Sequence, residues 1–172
     1  MKRLFCLAAI AAAALGHSFT AQAAGLEFGV GHTSESTMTY RLGLKSDWDK
    51  SWLQSDIGRL TGYWDGAYTY WEGDKSSASN SLSFSPVFVY EFAGERVKPY
   101  VEAGIGVALF THTEVEGNRL GTAFQFEDRL GFGLRFAGGH EVGIRATHYS
   151  NAGISSTNDG VESYALHYTM AL

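Results

Sequence analysis

The feature that constrains this chain most is an alternation of apolar and polar residues with a period of two, repeated over long runs. In the run "SLSFSPVFVYEF", residues 81–92, every even position is apolar, and Ser or Glu occupies most of the odd ones. Successive side chains of a β-strand point to opposite faces, so this pattern predicts strands with one apolar and one polar face. Helical stripes with a spacing of three and four residues are missing. The sequence therefore predicts an all-β protein.

Eight such runs can be distinguished. An even number of antiparallel strands returns both ends of the chain to the same side. The predicted strands lie near residues 25–33, 38–46, 58–71, 80–93, 97–112, 121–137, 140–150 and 162–172.

The polarity of the two faces distinguishes a soluble β-sandwich from a membrane barrel. A sandwich places aromatic residues in its core, whereas a transmembrane barrel turns them toward lipid and keeps polar residues in its lumen. Phe, Trp and Tyr make up 14% of this chain, and several runs reach the length that a tilted strand needs to cross a bilayer. We therefore predict an eight-stranded antiparallel transmembrane β-barrel with a filled lumen. A buried ion-pair network is expected from the charged residues at lumen positions, Arg41, Arg59, Asp65, Glu91, Glu102 and Arg145.

The first 23 residues read as a signal peptide, with Lys2 and Arg3 before an apolar stretch and a small-residue cleavage site at 21–23. Residues 24–172 would then form the barrel domain. Cys6 falls in the segment removed, so the mature chain has no cysteine and forms no disulfide. The mature chain carries a net charge of −7, which makes nucleic acid an unsuitable partner.

The connections alternate between short and long, as periplasmic turns and external loops do in such barrels. The link "SDWDKSWLQSD", residues 46–56, breaks this rule because it is long on the predicted periplasmic side. Metal-ligand spacings are not found, and His32, His112, His140 and His167 are scattered over different strands and loops. We therefore expect no metal or other cofactor.

On three neighbouring strands, polar residues occupy outward positions where apolar, lipid-facing residues are expected. His148 and Ser150 share the face of Val142 and Ile144, and Glu162 and Asp128 likewise fall at outward positions. Polar groups facing hydrocarbon cost several kcal/mol when unpaired, so this cluster needs a reason.

Acyl transfer supplies one reason. His148 would take a proton from Ser150 while Glu162 orients the imidazole, and N–H groups of the following turn, from Asn151 to Gly153, would form an oxyanion hole. The alternative is that His148 and Ser150 are ordinary polar residues at the membrane interface and that Glu162 is a solvated strand start. A structural or adhesive barrel would fit that alternative.

The run H-x-S-N-x-G at 148–153, followed by D-G-x-E-S-Y at 159–164, resembles the lipid A 3-O-deacylases of the PagL family. The similarity extends through nearly all of the mature chain, including "LTGYWDGAYTYWEG" and "FEDRLGFGLRFA". The resemblance implies an outer-membrane barrel of eight strands that hydrolyses the ester holding a 3-hydroxyacyl chain at the 3-position of lipid A, without a metal.

The resemblance also implies residue roles. The catalytic residues would be His148, Ser150 and Glu162, the oxyanion hole would involve Asn151 and Gly153, and Phe126 and Asp128 would be supporting residues. The expected partners are lipopolysaccharide with its lipid A and the surrounding outer-membrane lipids, and a homodimer is an open alternative. An outer-membrane phospholipase and a lipid A palmitoyltransferase are the other enzyme classes considered.

Overall fold

The computed structural model describes residues 24–172, so the predicted signal peptide lies outside the described residues. Residues 24–172 form ten β-strands, and among these residues no helix is long and apolar enough to cross a membrane. The eight predicted strands are all present, each boundary lying within three residues of its predicted position; the short pair β6 and β7 was not predicted. The bounds are β1 Ala24–Thr33, β2 Met38–Asp47, β3 Gly58–Trp71, β4 Ser79–Phe92, β5 Val97–Phe110, β6 Glu114–Val115, β7 Asn118–Arg119, β8 Phe124–Phe136, β9 Glu141–Ser150 and β10 Val161–Ala171.

The eight long strands close into an antiparallel barrel in the order β1-β10-β9-β8-β5-β4-β3-β2. The first strand closes on the last, with Phe28 opposite Tyr168. Closure leaves the eight-stranded barrel of residues 24–171 without an unpaired strand edge, which is what a β structure in lipid requires. We name the two ends of the barrel by their connections. The turn end carries residues 48–57, 93–96 and 137–140, and the loop end carries residues 34–37, 72–78, 111–123 and 151–160.

The outer wall of the barrel is apolar along its long strands. Large side chains such as Ile105, Leu130 and Leu166 are 67%, 66% and 58% exposed. Exposure of this extent is unfavourable in water and is expected of a surface that faces lipid. The predicted division into an apolar outer face and a polar inner face is confirmed.

The lumen is filled by charged side chains that pair with one another. Arg145 is at the centre of one group: its guanidinium donates to Glu27 at 2.8 and 2.9 Å and to Glu102 at 2.7 Å. Tyr63 completes the group by donating its hydroxyl to Glu102 at 2.6 Å. All four side chains are buried. Each carboxylate therefore has a positive partner, as buried charges require.

A second group lies closer to the loop end. Asp65 pairs with Arg41 and, at 2.6 Å, with Arg129, which also pairs with Glu127. At the mouth of the turn end, Glu91 accepts a hydrogen bond from Arg59 at 3.1 Å. The predicted ion-pair network is therefore confirmed. Its members Glu27, Glu127 and Arg129 were not predicted.

The loop end of the lumen is closed by an apolar cluster. The connection between β5 and β8 folds over the opening and forms the β6–β7 hairpin there, with Glu114 paired to Arg119. Trp71 anchors the cluster by donating its indole N–H to Ser81 at 2.9 Å. The buried members of the cluster are Trp71, Ala108, Phe110, Val115, Leu120, Tyr149 and Val161. The predicted filled lumen is confirmed, and this cap is its apolar part.

A single carboxylate holds two of the loops together. Glu116, which is buried, accepts backbone N–H groups of Asp74 at 2.8 Å and Lys75 at 3.0 Å, and the hydroxyl of Ser76 at 3.4 Å. Burial alone would raise the pKa of the Glu116 carboxyl, but these hydrogen bonds outweigh burial and hold its pKa below the ordinary value.

Replacing Glu116 with glutamine should loosen the loop between β3 and β4. Trypsin cuts after lysine, so cleavage after Lys75 should become severalfold faster in Glu116→Gln. Because the folded pKa is depressed, the stabilisation is present above the unfolded pKa of about 4.3 and is lost as the pH falls through the folded value. In the wild type, protection of the Lys75 backbone amide from hydrogen exchange should therefore disappear only in acid. Glu114→Gln, in the same hairpin but exposed, serves as the control and should change neither result.

Candidate active site

Strands β8, β9 and β10 bring the predicted site residues together on the outer wall near the loop end. His148 on β9 lies directly opposite Glu162 on β10 and, on its other side, directly opposite Asp128 on β8. Ser150 lies opposite Phe126. Opposite residues on antiparallel strands have Cβ atoms about 4.5–5.5 Å apart. The register therefore places all five residues in one patch.

His148 and Glu162 form a close pair. The distance from His148 Nδ1 to Glu162 Oε1 is 2.8 Å, and the two side chains are 42% and 38% exposed. When Nδ1 carries the ring proton and donates a hydrogen bond to the carboxylate, Nε2 remains free to accept a proton. Ser150, two residues further along β9, is on the same face as His148 and is half-buried. The patch thus contains a hydroxyl, an imidazole and a carboxylate hydrogen-bonded to that imidazole.

Ser34 is a sixth member of this patch, and the sequence did not predict it. Its hydroxyl donates to Glu162 Oε2 at 3.3 Å, and its backbone N–H donates to the Glu162 carbonyl at 3.3 Å. Ser34 follows β1, which reaches β10 only through closure of the barrel. A contact between residues 128 positions apart leaves no local signal in the sequence.

The turn after Ser150 is shaped by Asn151, which is fully buried. Its carboxamide donates to the carbonyls of Leu120 at 2.8 Å and Thr157 at 2.7 Å. Its Oδ1 accepts the N–H of Gly153 at 2.9 Å, and its own N–H donates to Asn158 Oδ1 at 2.8 Å. Both residues predicted for an oxyanion hole are therefore near Ser150, and their N–H groups hold the loop in this structure.

The two predicted supporting residues differ in their surroundings. Asp128 is exposed on the outer wall beside His148. Phe126 packs edge-on against Phe124, with 5.2 Å between ring centroids. The pair therefore combines a carboxylate next to the imidazole with an aromatic surface next to Ser150.

The strand that carries the site is held from inside the barrel. Tyr149, between His148 and Ser150, points into the lumen and donates its hydroxyl to Glu127 at 2.8 Å. Its ring also packs against Trp71, with 5.3 Å between centroids. Because the side chains on either side of Tyr149 face outward, this inner contact limits movement of the site residues.

Gly160 lies directly against the imidazole of His148. A Cβ atom at this position would stand 2.9 Å from His148 Cε1 and 3.5 Å from Nε2, and the residue has φ of +74°. Glycine adopts this left-handed conformation without strain, whereas other residues rarely do. The glycine of the D-G-x-E segment therefore leaves room for the ring in its present position.

If His148 is the catalytic base that the sequence predicts, replacing Gly160 with alanine should move its ring and lower kcat by up to about 100-fold, because small misplacements of a catalytic group have effects of that size. Gly117→Ala is the matched control, since Gly117 has φ of +89° and no atom within 4 Å of an added Cβ. Both variants carry backbone strain, so they should have similar thermal stability. An equal loss of activity in both would show that strain, and not contact with His148, is responsible.

Comparison with known proteins identifies the family of this chain. The family described as "Lipid A 3-O-deacylase (PagL)" matches residues 36–171. Lipid A deacylase PagL of Pseudomonas aeruginosa is 58% identical over 173 residues, covering 100% of both chains. The enzyme of that name from Bordetella bronchiseptica is 33% identical over 154 residues, covering 84% of this chain and 80% of its own.

A solved structure described as the outer membrane enzyme PagL is also similar. It is 60% identical, covers 85% of this chain and 98% of its own, and superimposes with a TM-score of 0.82. Family, relatives and fold thus agree with one another. The chain belongs to the PagL family of lipid A 3-O-deacylases and is a β-barrel enzyme of the bacterial outer membrane.

Proposed function

We propose that Ser150, His148 and Glu162 form a catalytic triad that hydrolyses the 3-linked ester of lipid A from within the outer leaflet. The observation that carries this proposal is the 2.8 Å contact between His148 Nδ1 and Glu162 Oε1, with Ser150 on the same face of β9. A carboxylate on Nδ1 fixes the tautomer in which Nε2 accepts a proton and stabilises the imidazolium that forms.

The reaction proceeds in two steps. Nε2 of His148 takes the proton of the Ser150 hydroxyl while Oγ attacks the ester carbonyl carbon. The bond from this carbon to the alcohol oxygen of lipid A then breaks, and His148 gives its proton to that oxygen. Water attacks the resulting acyl-serine with His148 again as base, which releases the 3-hydroxy fatty acid and restores the serine.

The turn from Asn151 to Gly153 supplies the proposed oxyanion hole. In this structure the N–H groups of Asn151 and Gly153 donate to Asn158 Oδ1 and Asn151 Oδ1. The oxyanion would compete with these two side-chain oxygens for the same donors. A negatively charged oxygen forms the stronger hydrogen bond, so the transition state would gain more than the substrate carbonyl does. Asp128, as a second carboxylate beside His148, would further favour the imidazolium.

The position of the triad suits a substrate that is already in the membrane. Ser150 and His148 lie on the outer wall with exposed apolar neighbours such as Ile144 and Tyr164. Three of the four longest connections, residues 72–78, 111–123 and 151–160, are at the same end of the barrel, as external loops are. We therefore assign the loop end to the outer leaflet, where the ester of lipid A would reach Ser150 while its acyl chain lies along the wall. A homodimer stays an open alternative.

A mass spectrum of lipid A after incubation with the refolded protein in detergent tests the function. The expected change is the loss of one 3-hydroxyacyl group from each lipid A. In water enriched in heavy oxygen, the label should appear in the carboxyl group of the released acid, and the 3-hydroxyl of lipid A should remain unlabelled. Lipid A that already lacks the 3-linked chain is the control and should keep its mass.

Other outcomes would replace the proposal. A gain of palmitate would indicate acyl transfer to lipid A, and release of phospholipid acyl chains would indicate a phospholipase. Heavy oxygen in the 3-hydroxyl would indicate cleavage on the alcohol side of the ester, which a serine nucleophile does not perform.

A further inference from the structure

The link between β2 and β3 is hydrogen-bonded to the barrel. We call residues 48–57 the return segment, because it turns back along β3. Trp48 donates its N–H to the carbonyl of Gly62 at 2.8 Å. Trp52 and Leu60 exchange two backbone hydrogen bonds of 2.7 and 2.8 Å. These bonds fix a connection that is unusually long for the turn end.

The segment begins with an indole that covers the outer wall. Trp48 lies over Gly62, where any side chain would collide with the ring. Its ring centroid is 5.0 Å from that of Phe88, 5.8 Å from that of Trp64 and 6.2 Å from that of Trp52. The return segment is therefore continuous with the lipid-facing surface of the barrel.

The rest of the segment exposes large apolar side chains. Leu53 is 70% exposed, Ile57 is 68% exposed and Trp52 is 43% exposed. Leu53 also has φ of +53°, a conformation that residues other than glycine seldom adopt. Three large apolar groups presented together in this way are unfavourable in water, which indicates that this surface is covered in the membrane.

The location of the segment bears on the active site. In the closed order of strands, β3 is four places from β9 in either direction, so the two strands are diametrically opposite. The return segment is at the turn end and the His148 patch is at the loop end. The two features therefore occupy diagonal corners of the barrel.

We propose that the return segment inserts Trp52, Leu53 and Ile57 into the headgroup region of the phospholipid leaflet facing the periplasm, and so fixes the depth at which Ser150 stands in the opposite leaflet. Aromatic residues are favoured at membrane interfaces because a ring with one polar edge suits that boundary. The assignment of leaflets rests on the proposed function. The insertion itself rests on the exposed apolar surface and on its continuity with the outer wall.

Residues 24–172 contain no cysteine, so single cysteines introduced there can carry a polarity-sensitive fluorophore. Leu53→Cys and Ile57→Cys are the test positions, and Glu95→Cys, exposed in the turn after β4, is the control at the same end of the barrel. In vesicles of phosphatidylethanolamine and phosphatidylglycerol, both test probes should emit at shorter wavelength than the control. Lipids with a spin label near the headgroup should quench the test probes severalfold more strongly than the control probe. Aqueous iodide should quench the test probes severalfold less than the control probe.

A second measurement links the segment to turnover. The double variant Leu53→Asn with Ile57→Asn should keep wild-type deacylase activity in detergent. In vesicles its activity should be severalfold lower than that of the wild type. Asp56→Asn, an exposed polar change in the same segment, is the control and should match the wild type in both.

The outcomes separate this proposal from the proposed function. Test probes as accessible to iodide as the control, in an active enzyme, would overturn the insertion and leave the function standing. Equal losses in detergent and vesicles would also overturn it, because the segment would then only support the fold. Shielded probes in a protein without deacylase activity would support insertion while contradicting the proposed function.

Discussion

Ser150→Ala is expected to lower the rate of lipid A deacylation by about 10⁴-fold or more while the barrel remains folded. The hydroxyl is the only group of the proposed triad that bonds to the substrate, and alanine removes it with the smallest change in volume. Ser150 is half-buried on the outer wall, so its loss leaves the lumen network untouched. Water activated by His148 could supply only a small residual rate.

The measurement is the single-turnover rate in detergent, followed by mass spectrometry of lipid A. Ser156→Ala is the matched control because Ser156 is an exposed serine of the loop that follows β9. It should retain wild-type activity. If Ser150→Ala lost activity only because the barrel unfolded, the unheated variant would migrate in gel electrophoresis like heat-denatured protein. The serine would then have a structural role.

Arg145→Met should lower the free energy of unfolding by about 3–5 kcal/mol, the usual result of removing one partner from a buried ion pair. Arg145 donates to Glu27 and Glu102, which are both fully buried. Methionine fills a similar volume but leaves these two carboxylates short of positive charge. Tyr63 and Arg41 remain as hydrogen-bond donors to the pair, so the barrel should be weakened and should still form.

Reversible unfolding in urea, with the protein in lipid vesicles, measures this change. Arg59→Met is the control, because Arg59 pairs with Glu91 at the mouth of the lumen and its side chain is 45% exposed. Arg59→Met should lower the free energy of unfolding by less than about 1 kcal/mol. Adding Glu102→Gln to Arg145→Met should recover part of the stability, because it removes one of the unpaired charges. Equal effects of the two arginine variants would contradict a central role for Arg145.

Much of this architecture could be predicted because alternation is a local property. The run from Ser81 to Phe92 specifies a strand and its two faces without any knowledge of its neighbours. The outward position of His148 followed in the same way from its parity with Ile144. Combined with the order of the strands, parity was sufficient to place Asp128, His148 and Glu162 on one surface.

The remaining contacts depend on register and closure, which no single strand encodes. The contact of Ser34 with Glu162 requires β1 to meet β10. The fit of Gly160 against His148 depends on the path of a ten-residue loop. The β6–β7 hairpin is too short to show a periodic pattern, and its position is determined by the apolar cap that it completes.

The strict inside–outside alternation of β9 ties the acquisition of activity to correct assembly. If β9 slipped by one residue against its neighbours, His148 and Ser150 would turn into the charged lumen and Tyr149 would turn out to lipid. Arg145 would turn outward as well and leave Glu27 and Glu102 without their partner, and the proposed triad would not form. With the proposed triad, the active fraction of newly inserted barrels would therefore measure how many of them were assembled in the correct register.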